Sequence, residues 1–250
     1  VQNKTKVPDT NTFTKLVQYI NKTTNSNSMN IYIPGLLKAE ELATVKSLIA
    51  DSTFEDGRKT ASMAAKKVKN NEQLDAEAEN SQKVREIVLN AMQDSPLLQQ
   101  AFLPKKIYPP IVSRYTEGME YGWHVDGPVM GEDKVRTDLA MTLFLNDPET
   151  YEGGELILQN PSGSLQYKLP AGDAIVYPAT QLHCVQKITK GERLAVVTWF
   201  QSLVRNSSHR ELLFQITQII ASLNQKENAA MEADSLMQIY SNLQRMWVES

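Results

Sequence analysis

The chain has 250 residues, enough for one sizeable core, and its acidic and basic residues nearly balance at a formal net charge of -3. No long block of like charge occurs, which argues against nucleic acid or an anionic membrane surface as the partner. No apolar run approaches the roughly 18 to 20 residues that cross a bilayer, and the N-terminus lacks the layout of a secretory signal, so a cytoplasmic protein is expected. The single cysteine, Cys184, rules out an internal disulfide, and a metal site built on imidazole must draw on His124, His183 and His209.

Taken in chain order, residues 1–28 form a polar extension in which Phe13, Leu16, Val17 and Ile20 fall at helical spacing and residues 21–28 resemble a linker. Ile31 to Ile33 predict a short strand and Pro34-Gly35 a turn. Leu42, Val45, Leu48 and Ile49 mark the buried stripe of a helix. A second helix is expected over Ser81 to Gln93, while Lys66 to Asn71 is polar and carries no assignment. After Pro104 the texture changes to short apolar runs between turn residues: Ile111–Tyr115, Tyr121–Val125, Leu139–Leu145, Glu155–Leu158, Leu165–Leu169, Ala174–Tyr177, Cys184–Ile188 and Arg193–Phe200. Such a run of strands suits a double-sheet jelly roll. Ser208 with Glu211 then predicts a capping box for a helix carrying Leu212, Leu213, Ile216, Ile219, Ile220 and Leu223. A last helix carries Leu236, Ile239, Tyr240, Leu243, Met246 and Trp247. The expected class is α+β, a jelly-roll (double-stranded β-helix) core with flanking helices at both ends. Residues 29–205 are expected to form the main domain, helical over 29–104 and jelly-roll over 105–205, followed by a C-terminal helical segment over 206–250.

His124 and Asp126 are one residue apart in a strand-like run, so alternation points both side chains the same way and offers two neighbouring ligands to one metal. His183, at the mouth of a different strand, is the candidate third ligand. Two imidazoles and one carboxylate leave positions open on an iron(II), the arrangement of oxygen-activating non-haem iron enzymes. The competing reading is a chance His-x-Asp pair and an ordinary satisfied histidine. Arg193 opens a strand after Gly191, about one hairpin beyond His183, and shares a face with Ala195, Val197 and Trp199. A guanidinium among apolar neighbours requires an anion that its own strand does not supply, and a dicarboxylate ligand would provide one.

These residues resemble the prolyl 4-hydroxylase-like branch of the 2-oxoglutarate dioxygenases. The likeness lies in Tyr115, Gly118, Tyr121 and the His124-Val125-Asp126 run, in Leu143 to Asn146 followed by Glu152 to Leu156, and in Gly172-Asp173, His183, Gly191 to Arg193 and Trp199. More narrowly, Asp56 to Arg58, Lys67 to Asn71, Ile107 to Pro110 and Val135 to Asp138 resemble the bacterial PKHD-type hydroxylases. The resemblance runs from about Met29 to the helix after Ser208. It implies iron(II) on His124, Asp126 and His183, and 2-oxoglutarate on Arg193 with help from Tyr115. It also implies ascorbate as an optional reductant. Tyr121, Arg136 and Trp199 are the substrate-pocket candidates. Several eukaryotic relatives carry a cosubstrate-contacting tyrosine where this chain has Phe144, which has no hydroxyl to donate.

The implied reaction couples decarboxylation of 2-oxoglutarate to succinate and carbon dioxide with hydroxylation, by O2, of a C–H bond in a peptide, protein or small amino acid, a prolyl residue being favoured. Two rival classes are a jelly-roll metal-binding or sensing module without turnover and a metal-dependent hydrolase. Arg193 separates the sensing module from the dioxygenase, because a simple metal sensor has no need of an anion clamp, and cosubstrate-dependent oxygen uptake separates the hydrolase. His209 is expected to be a solvated first-turn residue and Cys184 a buried structural thiol facing away from His183. The last helix is expected to bury its stripe on its own chain or in a homodimer.

Overall fold

The computed structural model describes residues 30–60 and 63–249, so the stripe at Phe13 to Ile20 and the linker at 21–28 lie outside the described residues. Two antiparallel sheets face each other. The major sheet runs in the order Ile31–Ile33, Ala174–Pro178, Leu139–Phe144, Arg193–Ser202, Ile111–Tyr115, Glu72–Leu74 and Phe54–Asp56, with Pro104–Ile107 pairing beside Arg193–Ser202. The minor sheet runs Gly163–Tyr167, Leu156–Asn160, His183–Val185, Glu120–His124 and Lys69–Asn70. This is the expected jelly-roll core.

The three central strands of the major sheet are buried on both faces, and each face has its own cluster. Leu139, Met141 and Leu143, with Ala174, Val176, Leu194, Val196 and Phe200, pack against the helices Ala39–Ala50, Glu79–Asp94 and Pro96–Phe102 through Val45, Ile49, Val84, Val88, Met92, Leu98 and Phe102. The alternate residues Ala140, Phe144, Ile175 and Tyr177 turn toward the minor sheet and meet Leu156, Leu158, Val185 and Ile188. A period of two therefore sends every second side chain into the space between the sheets, where the site lies.

Several local expectations change. The polar stretch after Lys66 contributes Lys69–Asn70 to the minor sheet, and Glu72–Leu74 joins the major sheet. Strands from before Pro104 thus complete both sheets. The run expected over Cys184 to Ile188 is two strands, His183–Val185 in the minor sheet and Ile188–Lys190 paired with Glu152–Gly153. The helix Ser207–Leu223 is capped by Asn206, whose side chain accepts from the backbone N–H of Ser208 and of His209, in place of the Ser208 box. The last helix, Ala230–Trp247, buries only Ala233 fully, half-buries Leu236, Tyr240, Leu243 and Trp247, and leaves Ile239 49% and Met246 73% exposed.

Candidate functional site

His124 ends its strand and pairs directly with His183 across the minor sheet. Asp126 follows from a loop, not from the strand itself, but its carboxylate returns to the same point. Asp126 Oδ1 lies 4.0 Å from His124 Nε2, and Oδ2 lies 3.8 Å from His183 Nε2. One ion about 2.1 Å from each group would span such separations. Each imidazole is fixed by its other nitrogen: Nδ1 lies 2.8 Å from the Gly122 carbonyl in His124 and 2.8 Å from the Gln181 carbonyl in His183. Both rings therefore carry the Nδ1 proton and turn a bare Nε2 toward Asp126. Burial, and then His183, push His124 down to about 3, so it stays neutral and free to ligate. Burial raises the Asp126 pKa and outweighs the opposing pull of His183, Trp199 and Lys69. Asp126 Oδ2 is buried without a hydrogen-bond partner, and the Trp199 indole nitrogen beside the carboxylate closes no bond of normal geometry either. A divalent cation would answer the buried, unpartnered Asp126 Oδ2, and the donor set fits iron(II).

Between the His183–His124 and Val185–Tyr121 pairs the ladder shifts register, giving the Glu120–His124 strand an extra residue. Tyr121 is thereby turned to the face of His124, and the two rings stack at 3.6 Å with 14° between planes. Close approach of the neighbouring strand depends on Gly122, where a Cβ would meet Val68 Cβ at 2.9 Å.

Arg193 lies in the same cavity, of about 340 Å³, on the inward face of its strand. It is 1% exposed, and its Nε and Nη2 have no hydrogen-bond partner. Tyr115 and Phe144 flank the guanidinium carbon, each ring centre 5.2 Å away. Burial pushes the Tyr115 phenol up to about 12 while Arg193 pulls it down, and the same opposition acts on Tyr151. Gly154 makes room for this arginine: at φ +71° a Cβ there would meet Ile188 Cδ1 at 2.4 Å and Arg193 Cδ at 3.0 Å.

Of the substrate-pocket candidates, Tyr121 and Trp199 line the cavity. Arg136 does not: its Nε donates to Asp138 Oδ1 at 2.7 Å and its Nη1 to Glu249 Oε2 at 2.8 Å, so it ties the C-terminal segment to the core. The alternation rule could not show this, because Arg136 sits on a two-residue strand outside both main sheets. His209 lies away from the cavity and is half-buried, its ring stacked on Trp247 at 4.0 Å, where a solvated residue was expected. Cys184 is buried, lines no part of the cavity, and has its thiol pKa raised by burial. Lys69, Asn71, Gln73 and Thr60 line the cavity without having been singled out, and Tyr151 stands within electrostatic reach of Arg193. The only signal for the first two was their place in the Lys67–Asn71 motif.

Residues 110–201 match the family model of the 2OG-Fe(II) oxygenase superfamily, and residues 208–249 match that of the PKHD-type hydroxylase C-terminal domain. A PKHD-type hydroxylase from Thermosynechococcus vestitus is 44% identical over 223 residues, covering 88% of this chain and 100% of the relative. The chain belongs to the PKHD-type hydroxylase family. A second such relative, from Hyphomonas neptunium, is 43% identical over 226 residues, 89% of this chain and 100% of its own. Among solved structures, a prolyl hydroxylase from Trichoplax adhaerens in complex with a hypoxia inducible factor oxygen degradation domain peptide fragment superposes with a TM-score of 0.52 at 15% identity, covering 81% of this chain and 92% of that one. That likeness shows the shared fold. As a PKHD-type hydroxylase the chain is a 2-oxoglutarate-dependent dioxygenase that uses iron(II). Among the described residues no helix is long and apolar enough to cross a membrane.

Proposed function

We propose that this PKHD-type hydroxylase inserts oxygen into an unactivated C–H bond of an amino-acid unit, a prolyl ring first among the candidates, in a peptide, protein or small amino acid. His124, Asp126 and His183 would hold the iron, Arg193 would pair with the far carboxylate of 2-oxoglutarate, and Tyr115 would stand beside that carboxylate. When bound, iron(II) and 2-oxoglutarate supply the oxidising power drawn from dioxygen, with succinate and carbon dioxide released and ascorbate as the reductant that keeps the metal ferrous.

The chain's own part is positioning and exclusion of water. The Gly122 and Gln181 carbonyls hold both imidazoles in the ligating tautomer. Leu156, Tyr177 and Val185 wall the cavity, and Tyr121 and Trp199 border the metal triad where a substrate would approach. The observation that carries the reading is Arg193, a buried guanidinium with two unpartnered nitrogens in the triad's cavity, since a metal sensor or hydrolase leaves that charge unanswered.

Two further readings accompany it. Residues 29–205 act as the catalytic unit, and the exposed Leu212, Ile219, Met237, Ile239 and Met246 on the two C-terminal helices support self-association through the 206–250 segment. A single free thiol suits the reducing cytoplasm. The test of the activity is succinate formation by the iron-loaded chain, with mass spectrometry of prolyl peptides and free amino acids for one added oxygen. Formation of succinate without any oxygenated product from prolyl compounds would redirect the substrate assignment, and no 2-oxoglutarate consumption at all would overturn the site.

A further inference from the structure

Lys69 enters the cavity from the edge of the minor sheet, paired with Tyr121. It is 7% exposed, yet it forms no ion pair with any described carboxylate. Its Nζ donates to Thr60 Oγ1 at 3.1 Å and lies 5.3 Å from the centre of the Tyr121 ring. The Thr60 hydroxyl proton is already committed to Gln73 Oε1 at 2.8 Å, so the threonine offers the ammonium a neutral lone pair and nothing more. The Tyr121 ring that Lys69 overlies is the one stacked on His124, which places the ammonium one aromatic ring away from a candidate metal ligand.

Charge bookkeeping singles this residue out. Of the cations lining the cavity, Lys59 pairs with Glu55. In the proposed holoenzyme, iron(II) and Arg193 are matched by Asp126 and the two carboxylates of 2-oxoglutarate, and Lys69 remains without a counter-charge. A buried ammonium with one neutral acceptor is costly to keep. Burial lowers the Lys69 pKa to about 8, with Asp126 and Asp56 opposing the shift.

We propose that Lys69 anchors a carboxylate of the substrate, so that the compound hydroxylated is a carboxylate-bearing amino acid or peptide. This rests on the site reading given above and names its substrate class. A cavity of about 340 Å³ shared with 2-oxoglutarate holds an amino-acid-sized group beside it, with any longer chain leaving past the exposed Val129 of its lining.

The test is calorimetry on the full chain loaded with manganese(II) and 2-oxoglutarate without oxygen. The probes are free amino acids including proline, their carboxamides, N-acetylated prolyl dipeptides as acids and as amides, and amidated dipeptides containing Asp or Glu. At least one acid should bind about tenfold or more tightly than its amide. Lys69→Met should erase that preference, and Lys69→Arg, which keeps the charge, should restore most of it. Preference confined to free acids assigns an α-carboxylate, whereas binding of amidated acidic dipeptides assigns a side-chain carboxylate. The proposal is overturned if no acid outbinds its amide, if Lys69→Met keeps the preference, or if Lys69→Met weakens 2-oxoglutarate as strongly as it weakens the acids. Failure of 2-oxoglutarate to bind the wild type would instead sink the underlying site reading.

Discussion

Tyr115 stands directly opposite Arg193 across the major sheet, with its ring centre 5.2 Å from the guanidinium carbon. The strand pairing brings a phenol and an unpartnered cation to one end of the cavity, where a carboxylate from 2-oxoglutarate would complete the group. Loss of one partner from a buried pair costs about 3 to 5 kcal/mol. Arg193→Gln should therefore raise the half-saturating 2-oxoglutarate concentration by roughly two to three orders of magnitude, with metal affinity nearly unchanged. Arg193→Lys should fall between, because it keeps the charge and loses the planar fork. Tyr115→Phe should cost about tenfold or less. Succinate formation against 2-oxoglutarate concentration checks all three, and an unchanged midpoint in Arg193→Gln would place the clamp elsewhere.

His124→Ala, Asp126→Ala and His183→Ala should each remove most iron binding and all succinate formation, since each leaves two ligands of three. His209→Ala should keep both. Its cost should be confined to stability, about 0.5 to 1.5 kcal/mol from the lost stack on Trp247. Iron titration and thermal melts on the same samples separate these outcomes, and a His209→Ala chain without turnover would contradict the assignment.

Lys69 should lower stability in the absence of a ligand. Its folded pKa, about 8, lies below the ordinary 10.5, so the unfolded chain binds the proton more tightly and burial of the charge opposes folding at neutral pH. The gap corresponds to on the order of 3 to 4 kcal/mol. Lys69→Met should accordingly be more stable than wild type at pH 7, and its advantage should shrink as the pH climbs from about 8 to 10.5, where the folded and then the unfolded lysine lose their protons. Urea midpoints measured across that range test the sign; a variant less stable than wild type at pH 7 would show that the Thr60 bond outweighs desolvation.

Gly154→Ala should damage cosubstrate binding from a distance. The added Cβ meets Ile188 and Arg193 at a left-handed φ of +71°, so strain of about 1 to 3 kcal/mol joins a displaced guanidinium. The expected signature is a lower melting temperature together with a raised 2-oxoglutarate midpoint and normal iron binding. Cys184→Ala should leave iron and 2-oxoglutarate midpoints at wild-type values, because the thiol lines no part of the cavity.

If the last helix carries the proposed self-association, Ile239→Lys combined with Met246→Lys should give a monomer without loss of activity, since both residues are exposed on that helix and neither lines the cavity. Sedimentation of wild type and double variant decides this. A monomeric wild type would remove the dimer.

The alternation of strand residues was readable directly: Arg193, Ala195, Val197 and Trp199 do share the inward face, and the apolar runs after Pro104 do form the sheets. The spacing of His124, Asp126 and His183 also carried the candidate site, because the chain has only three histidines and two of them sit at the end of a recognisable run. Local pattern stops at the single strand. The register shift that turns Tyr121 onto His124 exists only in the pairing of two strands distant in sequence. The polar stretch holding Lys69 has no apolar period to announce a strand, and it becomes one because Tyr121 and Glu120 offer it a free edge. Arg136 reads like any cavity arginine until Asp138 and Glu249 are seen to claim it. Sequence periodicity fixes which way a side chain faces along its own strand. What it meets there depends on register and on contacts between residues far apart in the chain, and those only the packed sheets decided.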